Sequence, residues 1–452
     1  MSSRLVGSAT LVAAVGVEDN ETLTELNYIE RKFLNENEAP ITTVTWFEGS
    51  HLEATAVIRQ RLGKIMSANP WLGGTLVKKK SKNYIHFATT PDATAGDIVE
   101  KFLLTVAPQD SVIHHEMDFS EVQELGKSAG YYLAAGNTFQ KPFWRIAVVP
   151  SSRTAPKERF AVFLSLTHVV GDGHTYYTLF NMLMNAGPIQ ALDARRVANA
   201  QQKHEMVLGT KESQAMTSIG QLWCALKGLW LTYVYGPLFF STRYQAKSHY
   251  FLIDSSKMDQ FKKEGASDDA FVSTNDVLTS WFFQNAGFPI GFMAVNLRGR
   301  VPEFREDLAG NYENVLTYRV PQDVDSPSSI RKSVQHLKRD VTYGEELKDS
   351  EYTTGVGVAT NWSTFMSHNN IDLAGCRPLL HLPFFDTAMM PATYGLCIIF
   401  RVAPGKLAVL LAATEEHLCK LLKSASLFAA DDWSPPGMTM SFSIPTSRSF
   451  ET

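Results

Sequence analysis

Apolar positions along the chain follow two periods, and the switch between them marks its elements. Over 159–167, RFAVFLSLT, they alternate, with Phe160, Val162, Leu164 and Leu166 on one face, which predicts a strand. From Thr175 the spacing turns helical, through Tyr176, Leu179, Phe180 and Leu183. Between the two lie His168, two β-branched residues, Gly171, Asp172 and Gly173. A histidine therefore ends a strand just ahead of a tight turn that feeds a helix. A rigid scaffold presents a side chain to a pocket at such a place.

Upstream, the pattern predicts a helix over 21–34, a strand over 41–50 and a helix over Glu53–Met66 with Ala54, Ile58, Leu62 and Ile65 on one face. Asn69-Pro70 stops that helix, and the chain returns as a strand. A short helix is expected over 95–105, and a strand over 142–150 that would pair beside 159–167. Downstream, 187–215 is rich in Gln, Ala, Lys and Glu and reads as an exposed connection. Residues 216–240 carry one charge, Lys227, and are interrupted by Gly220, Gly228, Gly236 and Pro237, which argues against a bilayer span. Two readings stay open there: a helix packed on the body, or an interfacial segment or tunnel wall for a lipophilic acyl chain. The second half then begins near 247 with a strand. Ser273 or Thr274 can cap a helix that buries Val277, Leu278, Trp281 and Phe282, and the strand IGFMAVNLRGR follows. Two strand-like runs flank Pro404-Gly405 as a hairpin, and a helix capped by Thr414 comes next. From Asp431 the chain is Ser/Pro-rich and predicts a mobile tail.

Composition narrows the class. A chain of 452 residues is too long for one ordinary core, and 44% hydrophobic with 19% charged residues is a normal globular balance. A net charge of −4 gives no basic stripe for a nucleic acid. Cys224, Cys376, Cys397 and Cys419 lie far apart with no CxxC pair, as reduced cysteines of a cytoplasmic protein do. The apolar run in the first 20 residues is weak for a signal peptide and reads equally well as a first strand.

The chemistry concentrates at His168. An imidazole with a pKa of about 6.5 accepts and returns a proton near neutrality. Asp172 could fix the ring, or fix the loop by pairing with a distant Arg. A core histidine in an ordinary strand–turn–helix is the plain alternative. Other motifs fall short. The GKS at 126–128 has Glu121 where a phosphate loop needs its first glycine, no GxGxxG opens a helix after a strand, and no GxSxG is present. Neither His168, Asp172 and His174 nor His114, His115 and Glu116 have the spacing that puts two metal ligands on one helix face, so no metal is expected.

KPFWRIAVVP, a polar loop and then FLSLTHVVGDGHTYYTLFNML together resemble the acyl-CoA-dependent acyltransferases of the BAHD type. They also resemble chloramphenicol acetyltransferase and the condensation domains of peptide synthetases. The second half adds a helix starting in Ser/Thr, a strand ending in Asn-x-Arg-x-Arg and a Gly-Asn turn, at Asn296, Arg298, Arg300, Gly310, Asn311 and Asn314. The resemblance implies a two-lobed α/β fold like chloramphenicol acetyltransferase. Each lobe would be a mixed β-sheet with flanking helices, and an active-site channel would run between them. The lobes would span 1–186 and 247–430, joined by 187–246, with 431–452 as the tail.

The resemblance also implies roles. His168 would be the general base, with Asp172 (structural) and Gly173 completing the motif. The partner of Asp172 would be Arg298 first and Arg300 second. Acyl-CoA would be a co-substrate rather than a bound cofactor, and the acceptor a small molecule with a hydroxyl or amine. The DFGWG motif of the plant enzymes is missing. The region offers FFDTAMMPATYG, with Asp386 the nearest match, so the oxyanion donor is sought among Asn361, Trp362, Ser363, Thr364 and Thr387. Thr167 stands where condensation domains usually carry a first histidine. That favours the single-His acyltransferases over a rival that takes its acyl group from a carrier protein. A non-catalytic binding protein of the same fold is a second rival. The chain is expected to act as a monomer, with peripheral membrane contact through 216–240 left open.

Overall fold

The computed structural model describes residues 21–36, 39–88, 95–136, 138–152, 157–239, 241–266, 271–339 and 347–429. The expected first strand within 1–20 and the tail 431–452 lie outside them. In chain order, the first half contains β1 (Glu21–Glu25), α1 (Tyr28–Glu36), β2 (Ile41–Glu48), α2 (His51–Ala68), β3 (Thr75–Lys79), β4 (Lys82–Ala88), α3 (Ala95–Phe102), β5 (Leu103–Thr105), α4 (Phe119–Ser128), β6 (Trp144–Pro150), β7 (Arg159–Leu166) and α5 (Gly173–Met184). The second half contains α6 (Ala200–Leu208), α7 (Thr210–Gln214), α8 (Ile219–Trp230), α9 (Gly236–Leu238), β8 (Ala246–Leu252), α10 (Ser255–Gly265), α11 (Thr274–Ala286), β9 (Ile290–Asn296), β10 (Glu313–Arg319), α12 (Pro327–His336), β11 (Val356–Asn361), β12 (Arg377–Phe384), β13 (Tyr394–Ala403), β14 (Lys406–Thr414) and α13 (Glu415–Lys423).

Two sheets dominate. One has the order β12-β2-β7-β6-β5, the other β10-β9-β11-β13-β14-β8, and a small third sheet is β1-β4-β3. Both large sheets mix parallel and antiparallel pairs: β5 runs parallel to β6, and β11 runs parallel to both β9 and β13. β7 explains how they stack. Phe160, Val162, Leu164 and Leu166 pack on one side with Ile58 and Leu62 of α2 and Leu179 and Leu183 of α5. Ala161 and Phe163, on the other side, share a core with Ile398 and Phe400 of β13 and Leu410 of β14. The far face of the second sheet is covered by α11 and α13, through Leu278, Phe282, Leu418 and Leu421. The order of layers is helix, sheet, sheet, helix. β7 is buried on both faces because it lies in an inner layer, so Ala161 and Phe163 between the alternating positions are apolar as well.

Four expectations need correction. The segment 21–34 is not one helix: Thr22 and Thr24 favour an extended chain, and β1 pairs antiparallel with β4. A capping box then starts α1, with Glu30 N–H donating to Asn27 Oδ1 and Asn27 N–H to Glu30 Oε2. The helix over 95–105 stops at Phe102, and 103–105 joins β6. The connection 187–215 is not simply exposed, since Arg196, Val197, Ala200, His204 and Leu208 are buried. Finally, β12 leaves the second half of the chain to pair with β2, so a strand from 247–430 completes the first sheet.

Candidate active site

β7 delivers His168, and the first turn of α5 fixes the loop between them. Asp172 caps that helix, accepting from Thr175 N–H at 3.0 Å. Neither Gly171 nor Gly173 has a positive φ, so backbone freedom is not why glycine stands at these positions. At Gly171 a Cβ would sit 2.8 Å from Thr175 Cγ2, so space decides. At Gly173 a Cβ would meet Phe365 and the Trp362 indole nitrogen at 3.6 and 3.7 Å, in ordinary contact.

The second half of the chain closes on this turn. Arg298, just past β9, donates to Asp172 Oδ2 at 2.6 Å, and both side chains are buried. Arg298 also donates to Leu308 O, Gly310 O and Thr175 Oγ1, and Tyr312 N–H donates to the same Asp172 oxygen. Burial alone would raise the Asp172 pKa. The Arg298 charge, with its hydrogen bond and the two backbone donors, outweighs burial and holds the carboxyl below its ordinary value. A second buried pair, Glu30–Arg196 at 2.8 Å, lies against Gly310. There a glycine is required: φ is +125°, and a Cβ would come within 3.0 Å of both partners.

Asn311 orients the histidine. Its Nδ2 donates to His168 O at 2.9 Å, which turns Oδ1 toward His168 Nδ1 at 3.1 Å. An amide oxygen only accepts, so Nδ1 carries a proton and Nε2 is the nitrogen left for proton exchange. About a fifth of the His168 side chain is exposed, Phe33 packs on the ring at 4.2 Å between centroids, and Glu313 Oε1 stands 3.5 Å from Nε2. The arrangement is an imidazole fixed through Nδ1, with Nε2 on the side of Glu313.

No protein-family model matches the chain, and no curated protein sequence does. Solved structures do match. Vinorine synthase is similar with a TM-score of 0.56 at 12% identity, covering 94% of this chain and 98% of that one. TRI101 of F. graminearum, complexed with coenzyme A and T-2 mycotoxin, is similar with a TM-score of 0.53 at 12% identity, covering 89% and 97%. The first condensation domain of the CDA synthetase is similar with a TM-score of 0.53 at 13% identity, covering 86% and 92%. The chain has the fold these proteins share.

Within this fold, the expected site residues fall into two groups. His168, Asp172, Gly173 and Arg298 meet at the start of α5, and Trp362 reaches them from the end of β11. Arg300 does not: it donates to Val334 O, because Gly299 turns the chain between the two arginines. Asn361 Oδ1 accepts from Ser363 N–H and Oγ, which ties both residues into a local turn, and Thr364 is exposed beside it. Asp386 caps the short turn that Thr387 opens and pairs with Lys127, away from the histidine loop. The His174 pKa is held below its ordinary value, as burial and the Arg298 charge outweigh Asp172 and Glu306. Among the described residues no three His, Cys, Asp or Glu side chains converge as metal ligands. The sequence places Asn311 only in a turn, and it carries no signal that singles out Glu313 or Thr175. A cleft of about 520 Å³, lined by Tyr28, Arg31, Asn199 and Glu205 among others, opens between α1 and α6. His168 is not among its lining residues.

Proposed function

We propose that the chain is an acyltransferase that moves an acyl group from acyl-CoA to the hydroxyl, or amine, of a small hydrophobic acceptor. One observation carries this reading: a partly exposed histidine at the end of a strand, whose Nδ1 is engaged by Asn311 so that Nε2 is the nitrogen left to exchange a proton. A neutral alcohol is a poor nucleophile, so a base must take its proton as it attacks. His168 Nε2 accepts the acceptor's proton while the acceptor oxygen or nitrogen bonds to the thioester carbonyl carbon. The tetrahedral adduct collapses, the C–S bond breaks, and the thiolate leaves with the proton returned by Nε2. No acyl-enzyme is needed, because both substrates meet at His168. Negative charge on the carbonyl oxygen requires a donor. Of the five candidate side chains, Trp362 is the one beside Gly173, so its indole N–H is the first choice.

Asp172 and Arg298 act structurally, holding the loop before β10 against the start of α5. The likeness to TRI101 in complex with coenzyme A supports the donor class, and its complexes with T-2 mycotoxin and deoxynivalenol support a small-molecule acceptor. A second reading, transfer from a carrier-protein thioester, is favoured by the likeness to a condensation domain and opposed by Thr167.

The test is thiol release from acetyl-CoA and longer acyl-CoAs against pooled alcohols and amines, with His168→Ala alongside. Acceptor-dependent release that falls by about 10²–10⁴-fold in the variant is the expected result. An equally active variant overturns the mechanism. Silence from both proteins points to a carrier-protein donor or to a binding protein.

A further inference from the structure

The segment from α8 to α9 packs inside out. Its buried positions are Gly220, Cys224, Gly228, Thr232 and Gly236, one every four residues. These small side chains bring the helix backbone hard against the body. A Cβ at Gly220 would overlap the Asp349 carbonyl oxygen, and one at Gly228 would overlap Thr393 Oγ1. The large side chains point the other way. Leu222, Trp223, Leu226, Trp230, Tyr233 and Val234 are all about half exposed or more. Of the fourteen large apolar side chains exposed among the described residues, nine lie between Ile219 and Phe239. A helix whose only partners were the protein body and water would be turned round, because burying each such side chain is worth about 1.5–3 kcal/mol. The outward face therefore calls for a second apolar medium.

The charges identify that medium. No Asp or Glu occurs between Glu212 and Asp254, while Lys227, Arg243 and Lys247 do. Of the acids on neighbouring elements, Glu415 pairs with Lys247, Glu416 with Lys420, Asp386 with Lys127 and Glu351 with Arg319, and the exposed Asp349 lies at the Gly220 end of the segment, where its backbone meets the helix. Tryptophan and tyrosine within the face suit the boundary between headgroups and acyl chains, where an aromatic ring is apolar at one end and polar at the other. A two-fold pairing of this face with a second copy would bring its lysines and arginines together with no acid of the segment to answer them. The run from Ile219 to Leu238 is about 30 Å long as a helix. No helix among the described residues is long and apolar enough to cross a membrane. The geometry points to a helix lying in the plane of a bilayer: we infer that 219–239 docks the protein on the surface of an anionic lipid membrane. This does not rest on the acyl-transfer reading.

The full chain is mixed with phosphatidylcholine vesicles, with and without phosphatidylserine, and sedimented. We expect it to sediment with the anionic vesicles and much less with the neutral ones, and Lys227→Glu with Arg243→Glu to weaken that binding. Leu222→Gln, Trp223→Ser and Leu226→Gln together should lower partitioning by about a thousandfold, at about tenfold per lost side chain. Their thermal midpoint should match that of the wild type, because these side chains are exposed. Lipids brominated in the acyl chains should quench tryptophan emission, and Trp223→Phe with Trp230→Phe should remove that quenching. Failure to sediment with anionic vesicles, equal binding to neutral ones, or undiminished binding by the triple variant overturns the inference. So does a dimer in solution that the triple variant dissolves.

Discussion

Asn311 sets the state of His168 more directly than Asp172 does. It holds the imidazole by Nδ1 and by the backbone carbonyl at once, so ring tautomer and ring direction depend on one amide. Asn311→Ala should lower the kcat of thiol release by about ten- to a hundredfold with a smaller change in KM, since a misdirected base costs about that much. Steady-state kinetics against the acceptor found for the wild type checks this, and an unchanged kcat removes Asn311 from the mechanism. Asp172 carries a different prediction. Asp172→Asn leaves the Arg298 charge buried without its counter-ion, which should cost about 3–5 kcal/mol in urea unfolding. The folded Asp172 pKa lies below the unfolded value of about 3.9. The stability it contributes is therefore complete above that pH and is lost as pH falls through the folded pKa. Stability of the Asn variant should depend less on pH in that acid window.

At the scale of elements, α8 depends on having no side chain where it meets 349–353 and 391–393. Gly220→Ala sets a methyl group against the Asp349 backbone, which cannot rotate away, and should destabilise by about 1–3 kcal/mol. The same change at Gly130, which has nothing within 4 Å, tests backbone strain alone because its φ is +70°. A thermal midpoint unmoved by Gly220→Ala would mean that α8 does not seat on the body as described. The periodic elements can be read from the chain because their signal is local. In α2, Ala54, Ile58, Leu62 and Ile65 are buried as the spacing predicts, and in α11 so are Val277, Leu278, Trp281 and Phe282. At β1 the spacing misleads, because Leu23, Leu26, Ile29 and Phe33 fit one helical stripe. Pairing with β4 and the Asn27–Glu30 cap decide otherwise.

Across the whole molecule, buried neutral histidines set the acid limit. Burial pushes His204 down to about 4, and burial with the Arg401 charge does the same to His368, against about 6.5 in an unfolded chain. Between those values the unfolded chain binds protons that the folded one does not, so stability falls as pH drops from about 6.5 toward 4. Each group contributes a slope of about 1.4 kcal/mol per pH unit inside the window. His249, His381 and His417 are shifted the same way by burial. Urea midpoints between pH 7 and pH 4 should fall well before the ordinary carboxylate range. A flat profile down to about pH 5 would mean these rings are not buried as neutral groups.

The sequence by itself determined the alternation of strands and helices, the strand–turn–helix that carries His168, Asp172 and Gly173, and the fold class that their resemblance implied. Those features repeat every two or every three to four residues, so neighbours along the chain are enough to reveal them. Only the tertiary structure decided which arginine meets Asp172, that Asn311 rather than Asp172 holds the imidazole, that β12 completes the first sheet, and that α8 turns its large side chains outward. Each of these depends on where two stretches far apart in the chain come to rest against one another. Arg298 and Arg300 differ little in local sequence, and the turn at Gly299 leaves the first facing the buried carboxylate and the second facing Val334.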